Sequence, residues 1–491
     1  MKILLVLLLY FLALFAISRL TGRQATNASF YRADRRSPWL MVAFGMVGAS
    51  ISGVTFVSVP GMVQTSQMTY LQMCIGFIVG YLVVAFVLLP LYYRLNLTSI
   101  YSYLGLRLGR QSYLSGAWFF LLSKMTGAAL KFYVVCIILQ QFVFDALGIP
   151  FWLNVVGLVV LIWLYTHRGG IKTLVVTDTF QTLCLLTALL LIVCNVVSEL
   201  GITVGQAIQT VADNPMSRIF VTDDWRSPQY FWKQFLSGVF VVIVMTGLDQ
   251  DMMQKNLTCR TLREAQKDMC LYGLAFLPVN LLFLSLGVML TMLPELSGVS
   301  GDALLPTYVQ NAASNAQCSM FNTQCSMFNV QRSMFNVQCL FALGIMASSF
   351  STADSALTSM TTSYCVDIRQ KPGDERLRKR VHVAMCLVFV LFILLFRCVN
   401  STSLIDAIYT MVGYTYGPLL GLFAFGLFTK RRPNDRLTPY VCIASPLLCY
   451  AIDMLAQSLF GYRFGYELLL FNGALTFLGL LLISRCRVLK L

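Results

Sequence analysis

The sequence predicts an all-α polytopic membrane protein with about thirteen transmembrane helices. Hydrophobic residues make up 57% of the 491 residues, and charged residues make up only 12%, about half the share of an average soluble protein. Apolar runs of roughly 20 residues, the length that crosses ~30 Å of hydrocarbon, recur along the whole chain. They lie at about 2–20, 39–62, 69–92, 113–146, 150–166, 172–198, 229–250, 270–294, 338–366, 381–398, 402–428, 438–459 and 466–484.

The net charge of +15 indicates membrane topology and not a nucleic-acid partner. Lys and Arg are concentrated in every second loop, for example at 19–36, 369–380 and 430–436, and are sparse in the loops between. The positive-inside rule therefore predicts a multi-pass protein of the cytoplasmic membrane with its N-terminus outside and its C-terminus in the cytoplasm. This assignment counts 255–267 as a basic inner loop.

Residues 1–20 are predicted to be a retained leading helix. Lys2 and the apolar run after it resemble a signal peptide, but no small-residue cleavage site follows, and 21–36 are basic instead. The two histidines, His167 and His382, are both expected at inner loops, which argues against a His-ligated metal centre inside the membrane. We expect one transmembrane domain over 1–491, surrounded by the lipid bilayer.

Asp178 is the most informative residue, because it places a carboxylate inside the apolar run 172–198. A charge in hydrocarbon costs roughly 3 kcal/mol or more and so needs a partner or a function. One interpretation is an ion pair with a buried Lys, or a carboxylate wetted by nearby headgroups. The other is a cation or proton site. A second apolar run carries hydroxyl side chains at 348, 349, 351 and 352. Carboxylate and hydroxyl oxygens together are suitable ligands for a small hard cation.

Helix breakers interrupt three of the predicted spans. The second span contains GASISG at 48–53, and the seventh contains Ser237-Gly238 and Thr246-Gly247. The eleventh contains Gly413, Gly417-Pro418 and Gly421. Interrupted spans in corresponding halves of a chain are typical of transporters with inverted repeats and a midplane binding site. Close helix packing by small residues is the alternative explanation.

Five stretches of the chain together resemble the sodium:solute symporter family, which includes bacterial proline, galactose and sialic-acid symporters. They follow one another in the expected order over most of the chain. The stretches are GASISGVTFVSVPG (48–61), GGIKTLVVTDTFQ (169–181), GLDQDMMQKNL (247–257), ASSFSTADSALT (347–358) and GYTYGPLLGLFAFGLFTKR (413–431).

The resemblance implies a leucine-transporter-like core of five plus five inverted helices over 39–428, after a leading helix (1–20) and before two trailing helices (438–484). It also implies sodium as the co-transported ion. The first implied sodium site comprises backbone carbonyls and two hydroxyls, and its residues are Gly48, Ile51, Ile345, Ser348 and Ser349. The sialic-acid branch implies a second sodium between a carboxylate and hydroxyls, at Asp178, Ser348, Ser351 and Thr352.

The solute is expected beside the unwound part of the second span. Hydroxyls are available there, an amide on the next span could face them, and a Lys lies about where the sialic-acid symporters hold a carboxylate with Arg. A Lys offers a point charge instead of a bidentate fork, and it could equally extend its ammonium to the membrane surface or pair with a carboxylate. The predicted solute-binding residues are Ser50, Ser52, Thr55, Gln72 and Lys131.

These observations predict a sodium-coupled symporter that imports a small polar solute such as a sugar, a sugar acid or a small carboxylate. A proton-coupled symporter of the same fold and a non-transporting sensor are the alternatives. A membrane enzyme is not expected, because the sequence shows no catalytic His, carboxylate cluster or metal motif at an interface. We expect no organic cofactor and no nucleic-acid partner.

A tandem repeat of seven residues at about 317–339 falls outside the resemblance. It contains QCSMFNT, QCSMFNV and QRSMFNV in succession. The unit can be encoded by the seven-base word GTTCAAT written three times, and a seven-base repeat needs three copies to return to frame. We interpret the insert as a tolerated outer connection that carries no ligand. A selected extension of the ninth span is the alternative.

Gain or loss of one seven-base word would shift the reading frame before Ser348 and abolish transport. We therefore predict that deep sequencing of the locus in a clonal culture will find variable copy number, so that the repeat acts as an on/off switch. Coding DNA without a seven-base repeat, or a copy number that never varies, would contradict this.

Overall fold

The computed structural model describes residues 2–23, 26–319, 337–397, 404–462 and 464–485. The described chain is helical almost throughout, as expected where hydrocarbon leaves backbone groups no water to bond. Its helices are α1 (Lys2–Thr21), α2 (Asn27–Arg32), α3 (Trp39–Ser50), α4 (Gly53–Gly61), α5 (Val63–Ser66), α6 (Tyr70–Val83), α7 (Leu89–Arg94), α8 (Ser102–Arg107), α9 (Arg110–Leu139), α10 (Phe151–Thr166), α11 (Ile171–Glu199), α12 (Val204–Ala212), α13 (Phe231–Val242), α14 (Gln250–Asn256), α15 (Leu262–Thr291), α16 (Leu304–Ser319), α17 (Val337–Ser363), α18 (Glu375–Phe396), α19 (Leu404–Phe428), α20 (Thr438–Phe460) and α21 (Leu468–Leu482).

Four π-helical turns extend these helices, at Val84–Leu88, Gln140–Phe144, Ile243–Gly247 and Tyr364–Ile368. A short antiparallel pair, β1 (Arg432–Pro433) and β2 (Ser484–Arg485), joins the connection after α19 to the end of α21.

Within the described residues, nine helices are long and apolar enough to cross a membrane, and the number is eleven if each of two bent pairs forms one span. Two shorter apolar helices, α10 and α21, coincide with the remaining predicted runs. The all-α polytopic class is therefore confirmed. The count of thirteen stays a prediction, because it needs both short helices to cross as well.

The two bent pairs are the predicted broken spans. Helices α3 and α4 meet at an angle of 59° around two extended residues, Ile51 and Ser52. The helix that includes α13 meets α14 at 69°, directly after Thr246-Gly247. Ser237-Gly238 lies inside α13 and breaks nothing: a Cβ on Gly238 would come within 2.3 Å of the Met73 carbonyl oxygen, so this glycine serves close helix packing.

The eleventh span is a continuous helix, which corrects the expectation of an interruption between 413 and 421. Its glycines face α21 instead. A Cβ on Gly417 would meet the Asn472 side chain at 2.3 Å, and one on Gly421 would meet the Thr476 side chain at 2.4 Å. Close packing is therefore the correct explanation here.

Two predicted loop residues are buried. Lys255 lies in α14 with 2% of its side chain exposed, so the basic segment 255–267 is not all loop. His382 is buried in α18 and hydrogen-bonds Thr166 and Thr361. The repeat segment lies between α16 and α17, and its residues 320–336 are outside the described part of the chain.

Candidate functional site

The break in the second span is held against α17 by two hydroxyls. Gly53 N donates to Ser349 Oγ at 3.1 Å, and Thr352 Oγ1 donates to the Ala49 carbonyl at 3.1 Å. A Cβ at Gly53 would lie 2.4 Å from Ser349 Oγ, so only glycine lets this helix start approach α17. The fold thus joins the two motifs to which the family resemblance assigned the first sodium site.

All five residues of the first predicted sodium site are buried at this junction: Gly48, Ile51, Ile345, Ser348 and Ser349. Because α3 ends at Ser50, the carbonyls of its last turn cannot all be bonded within the helix. Ile51 N donates to the Val47 carbonyl, and the Ala49 carbonyl accepts from Thr352 Oγ1 of α17. On α17, Ser348 Oγ donates to the Ile345 carbonyl at 2.9 Å. Carbonyl oxygens at a helix end and buried hydroxyl oxygens are suitable ligands for a small hard cation.

Asp178 is fully buried in α11 and already has a cationic partner. The Nζ atom of Lys255 lies 2.7 Å from Asp178 Oδ2, and Ser351 Oγ donates to Asp178 Oδ1 at 2.8 Å. Ser355 Oγ makes a longer contact with Oδ2 at 3.5 Å. The ion pair with a buried Lys, one of the two interpretations of Asp178, is therefore present in the structure.

The hydrogen bonds of the structure bring the second predicted sodium set together only in part. Ser351 reaches Asp178, but the Thr352 hydroxyl donates to the carbonyls of Ala49 and Ser348. Sequence reasoning missed Lys255 as a member of this cluster. The signal was available, because GLDQDMMQKNL sits in a predicted broken span and ends in a Lys.

Asp354 is a second buried carboxylate near this cluster that sequence reasoning also missed. Its Oδ2 accepts a hydrogen bond from Tyr165 OH at 2.7 Å, and its Oδ1 accepts one from Ser355 Oγ at 3.3 Å. Asp354 lies in the motif ASSFSTADSALT, so its position in the span could have been noticed.

A cavity opens beside the broken second span. Its empty volume is about 1040 Å³, partly open to solvent. Four of the five predicted solute-binding residues line it, namely Ser50, Ser52, Thr55 and Lys131. Aromatic side chains form much of the remaining wall: Tyr70, Phe77, Tyr81, Tyr272, Phe276 and Tyr416. A few polar groups among aromatic walls are typical of small-molecule sites.

Two lysines of α9 face the cavity, and they differ in their partners. Lys124 Nζ lies 3.2 Å from Asp249 Oδ2 and 2.7 Å from Asp251 Oδ2, and Tyr416 OH also donates to Asp249 at 2.7 Å. Lys131 has no hydrogen-bond or ion-pair partner among the described residues. Among the described residues that line the cavity, Lys131 is therefore a cation without a counter-charge in contact.

Gln72, the fifth predicted solute-binding residue, is not among the residues that line this cavity. Its side-chain amide donates to the Gln229 carbonyl at 3.0 Å and its Oε1 accepts from Val221 N at 3.2 Å. These hydrogen bonds connect the segment that precedes α13, which contains Val221 and Gln229, to α6. Ser50 lines the cavity, but its hydroxyl is already hydrogen-bonded to Tyr272 OH.

Comparison with curated proteins identifies several sodium-coupled transporters as relatives of the chain. The chain is 24% identical over 413 residues to the human sodium/iodide cotransporter, covering 83% of this chain and 62% of that protein. It is 26% identical over 402 residues to the sodium-dependent multivitamin transporter of Oryctolagus cuniculus, covering 81% and 61%. The chain thus spans about three fifths of these two relatives. It is 25% identical over 435 residues to a sodium/sialic acid symporter of Aliivibrio fischeri, covering 83% and 79%.

Solved structures confirm the fold. A Na⁺-coupled sialic acid symporter in a substrate-bound, outward-open state matches with a TM-score of 0.78 at 20% identity, over 99% of both chains. A nucleobase-cation-symport-1 family transporter in a closed conformation matches with a TM-score of 0.58 at 13% identity, over 93% of both. The sodium:solute symporter family itself matches residues 30–435. The chain therefore belongs to the sodium:solute symporter family.

Proposed function

We propose that this protein imports a small polar solute together with sodium across the cytoplasmic membrane. The observation that carries the proposal is the buried junction between the break of the second span and α17, where Ser349 Oγ accepts from Gly53 N and Thr352 Oγ1 donates to the Ala49 carbonyl. A cation bound there would tie the two elements together. The sodium-coupled names of the relatives support sodium as that cation.

The junction and the cavity share one structural element, which explains how ion and solute are coupled. Ala49 and Ser50 precede the break and line the cavity, while Thr352 reaches both the cavity and the Ala49 carbonyl. Sodium that orders the break also orders one wall of the solute site. By linkage, each ligand then raises the affinity for the other, and both favour the same conformation.

We further propose that the solute carries a negative charge, as a sugar acid or a small carboxylate does. The unpaired ammonium of Lys131 supports this, since a cation in an aromatic-walled cavity is best neutralised by an anionic ligand. Several relatives are named for anions, including iodide, sialic acid and monocarboxylates. A thermal-shift screen of purified protein with and without sodium would identify the solute, because ligand that binds only the native state raises its stability.

Ser348→Ala and Ser349→Ala should each raise the sodium concentration for half-saturation on the order of tenfold, because each removes one oxygen ligand. Solute affinity should fall in step, since the two sites are linked. Radioactive sodium binding to purified protein, followed by uptake into proteoliposomes, measures both effects.

Ser359→Ala is the matched control for these variants. Ser359 is equally buried on α17, but its hydroxyl donates to the Ala356 carbonyl of its own helix. Unchanged sodium affinity in both site variants would refute the junction as the sodium site. Solute uptake driven by a proton gradient in the absence of sodium would instead support the proton-coupled alternative.

A further inference from the structure

Lys255 occupies a position that the predicted second sodium site does not include. It lies on α14, the inner half of the broken seventh span, and it crosses to Asp178 on α11. The two charged atoms, Nζ and Oδ2, are 2.7 Å apart, and both side chains are at most 2% exposed. This is a direct, water-excluded ion pair.

The other oxygen of Asp178 is also engaged. Ser351 Oγ, a predicted ligand of the second sodium, donates straight to Oδ1 at 2.8 Å. The Thr352 hydroxyl, another predicted ligand, donates to two backbone carbonyls. Each oxygen of Asp178 therefore has a neighbour within the protein, and the Lys255 ammonium is the cationic one.

The repulsion between cations at the Asp178 carboxylate also supports this replacement. Asp178 supplies one negative charge and Lys255 supplies one positive charge. A sodium ion at the same carboxylate would place two cations within a few ångströms of each other in a low-dielectric interior, where like charges repel strongly. The neighbouring carboxylate, Asp354, is held by the hydroxyls of Tyr165 and Ser355.

We propose that the Lys255 ammonium is a built-in cation that takes the place of the second sodium at Asp178, so that the protein binds one sodium, at the Ser348–Ser349 junction. This inference rests on the proposed function, because it assumes that the first sodium site is real. It predicts that removing the ammonium converts Asp178 into a sodium ligand.

Equilibrium binding of radioactive sodium to the purified full chain tests the proposal without knowledge of the solute. We expect one ion per chain for the wild type and two for Lys255→Met. The double variant Lys255→Met/Asp178→Asn should return to one ion, because it removes the carboxylate as well. Lys172→Met is the matched control and should bind one ion, since Lys172 forms a half-exposed pair with Asp34 at 3.8 Å.

The outcomes separate this inference from the proposed function. Two ions bound by the wild type would overturn the built-in cation. One ion bound by Lys255→Met would overturn it as well. Two ions bound by the double variant would show that the second ion does not depend on the Asp178 carboxylate, which also contradicts the proposal. No sodium bound by the wild type would instead refute the first site and the proposed function with it.

Thermal stability gives a second readout for variants that fold poorly. Sodium should raise the apparent Tm of Lys255→Met more than that of the wild type, because a second ion replaces the missing ammonium. Sodium should raise the apparent Tm of Asp178→Asn no more than that of the wild type, because only the Ser348–Ser349 site remains to bind it. Equal responses of the two variants to sodium, measured against choline at the same ionic strength, would overturn the proposal.

Discussion

Asp178→Asn is expected to destabilise the protein by about 3–5 kcal/mol, the usual cost of breaking a buried ion pair by removing one partner. The structural reason is that the Lys255 ammonium, with 2% of its side chain exposed, would be left in the membrane interior without a counter-charge. The apparent Tm in detergent, measured by intrinsic fluorescence, should fall well below that of the wild type.

Adding Lys255→Met to Asp178→Asn should recover most of the lost stability. The double variant has no buried charge at this position, and replacing a buried pair by apolar groups is often neutral. Asp34→Asn is the matched control, because it removes the carboxylate of the half-exposed pair with Lys172. Surface pairs contribute little, so this control should melt close to the wild type. A double variant as unstable as Asp178→Asn alone would show that Asp178 stabilises the fold by other contacts.

Lys131→Ala is expected to weaken the binding of an anionic solute on the order of 100-fold. The affinity for a neutral solute of similar size should fall far less. Truncating one partner of a buried charge pair costs roughly 2–5 kcal/mol, and only the anion forms that pair. The measurement is the dissociation constant of the purified protein for matched anionic and neutral ligands from the thermal-shift screen.

Two control variants test whether the loss of affinity depends on the charge of Lys131. Lys131→Arg keeps the cation but changes its geometry from a point charge to a planar fork, so part of the anion preference should remain. Lys172→Ala removes an exposed lysine remote from the cavity lining and should leave both affinities unchanged. Equal losses for the two ligand classes in Lys131→Ala would mean that this lysine only supports the helices.

Periodicity and composition predicted the membrane class because a helix is the simplest way to satisfy backbone groups in hydrocarbon. The GASISG cluster located the first break for a similar reason: Gly and Ser at successive positions make a helix easy to interrupt. The eleventh span shows the limit of that reasoning. Gly417 and Gly421 are also closely spaced helix breakers, with Pro418 between them, yet their helix is continuous and α21 packs closely against both glycines.

The sequence by itself determined the family and the two broken spans, because these depend on local residue chemistry and on contiguous motifs. The residues of the sodium site stay a prediction. Only the tertiary structure decided which charges meet. Asp178 and Lys255 are far apart in the chain, and their ion pair depends on how α11 and α14 pack. The same holds for Lys124, which is neutralised by Asp249 and Asp251, and for Lys131, which is not. Electrostatic partnership depends on distance in space, which residue order does not encode directly.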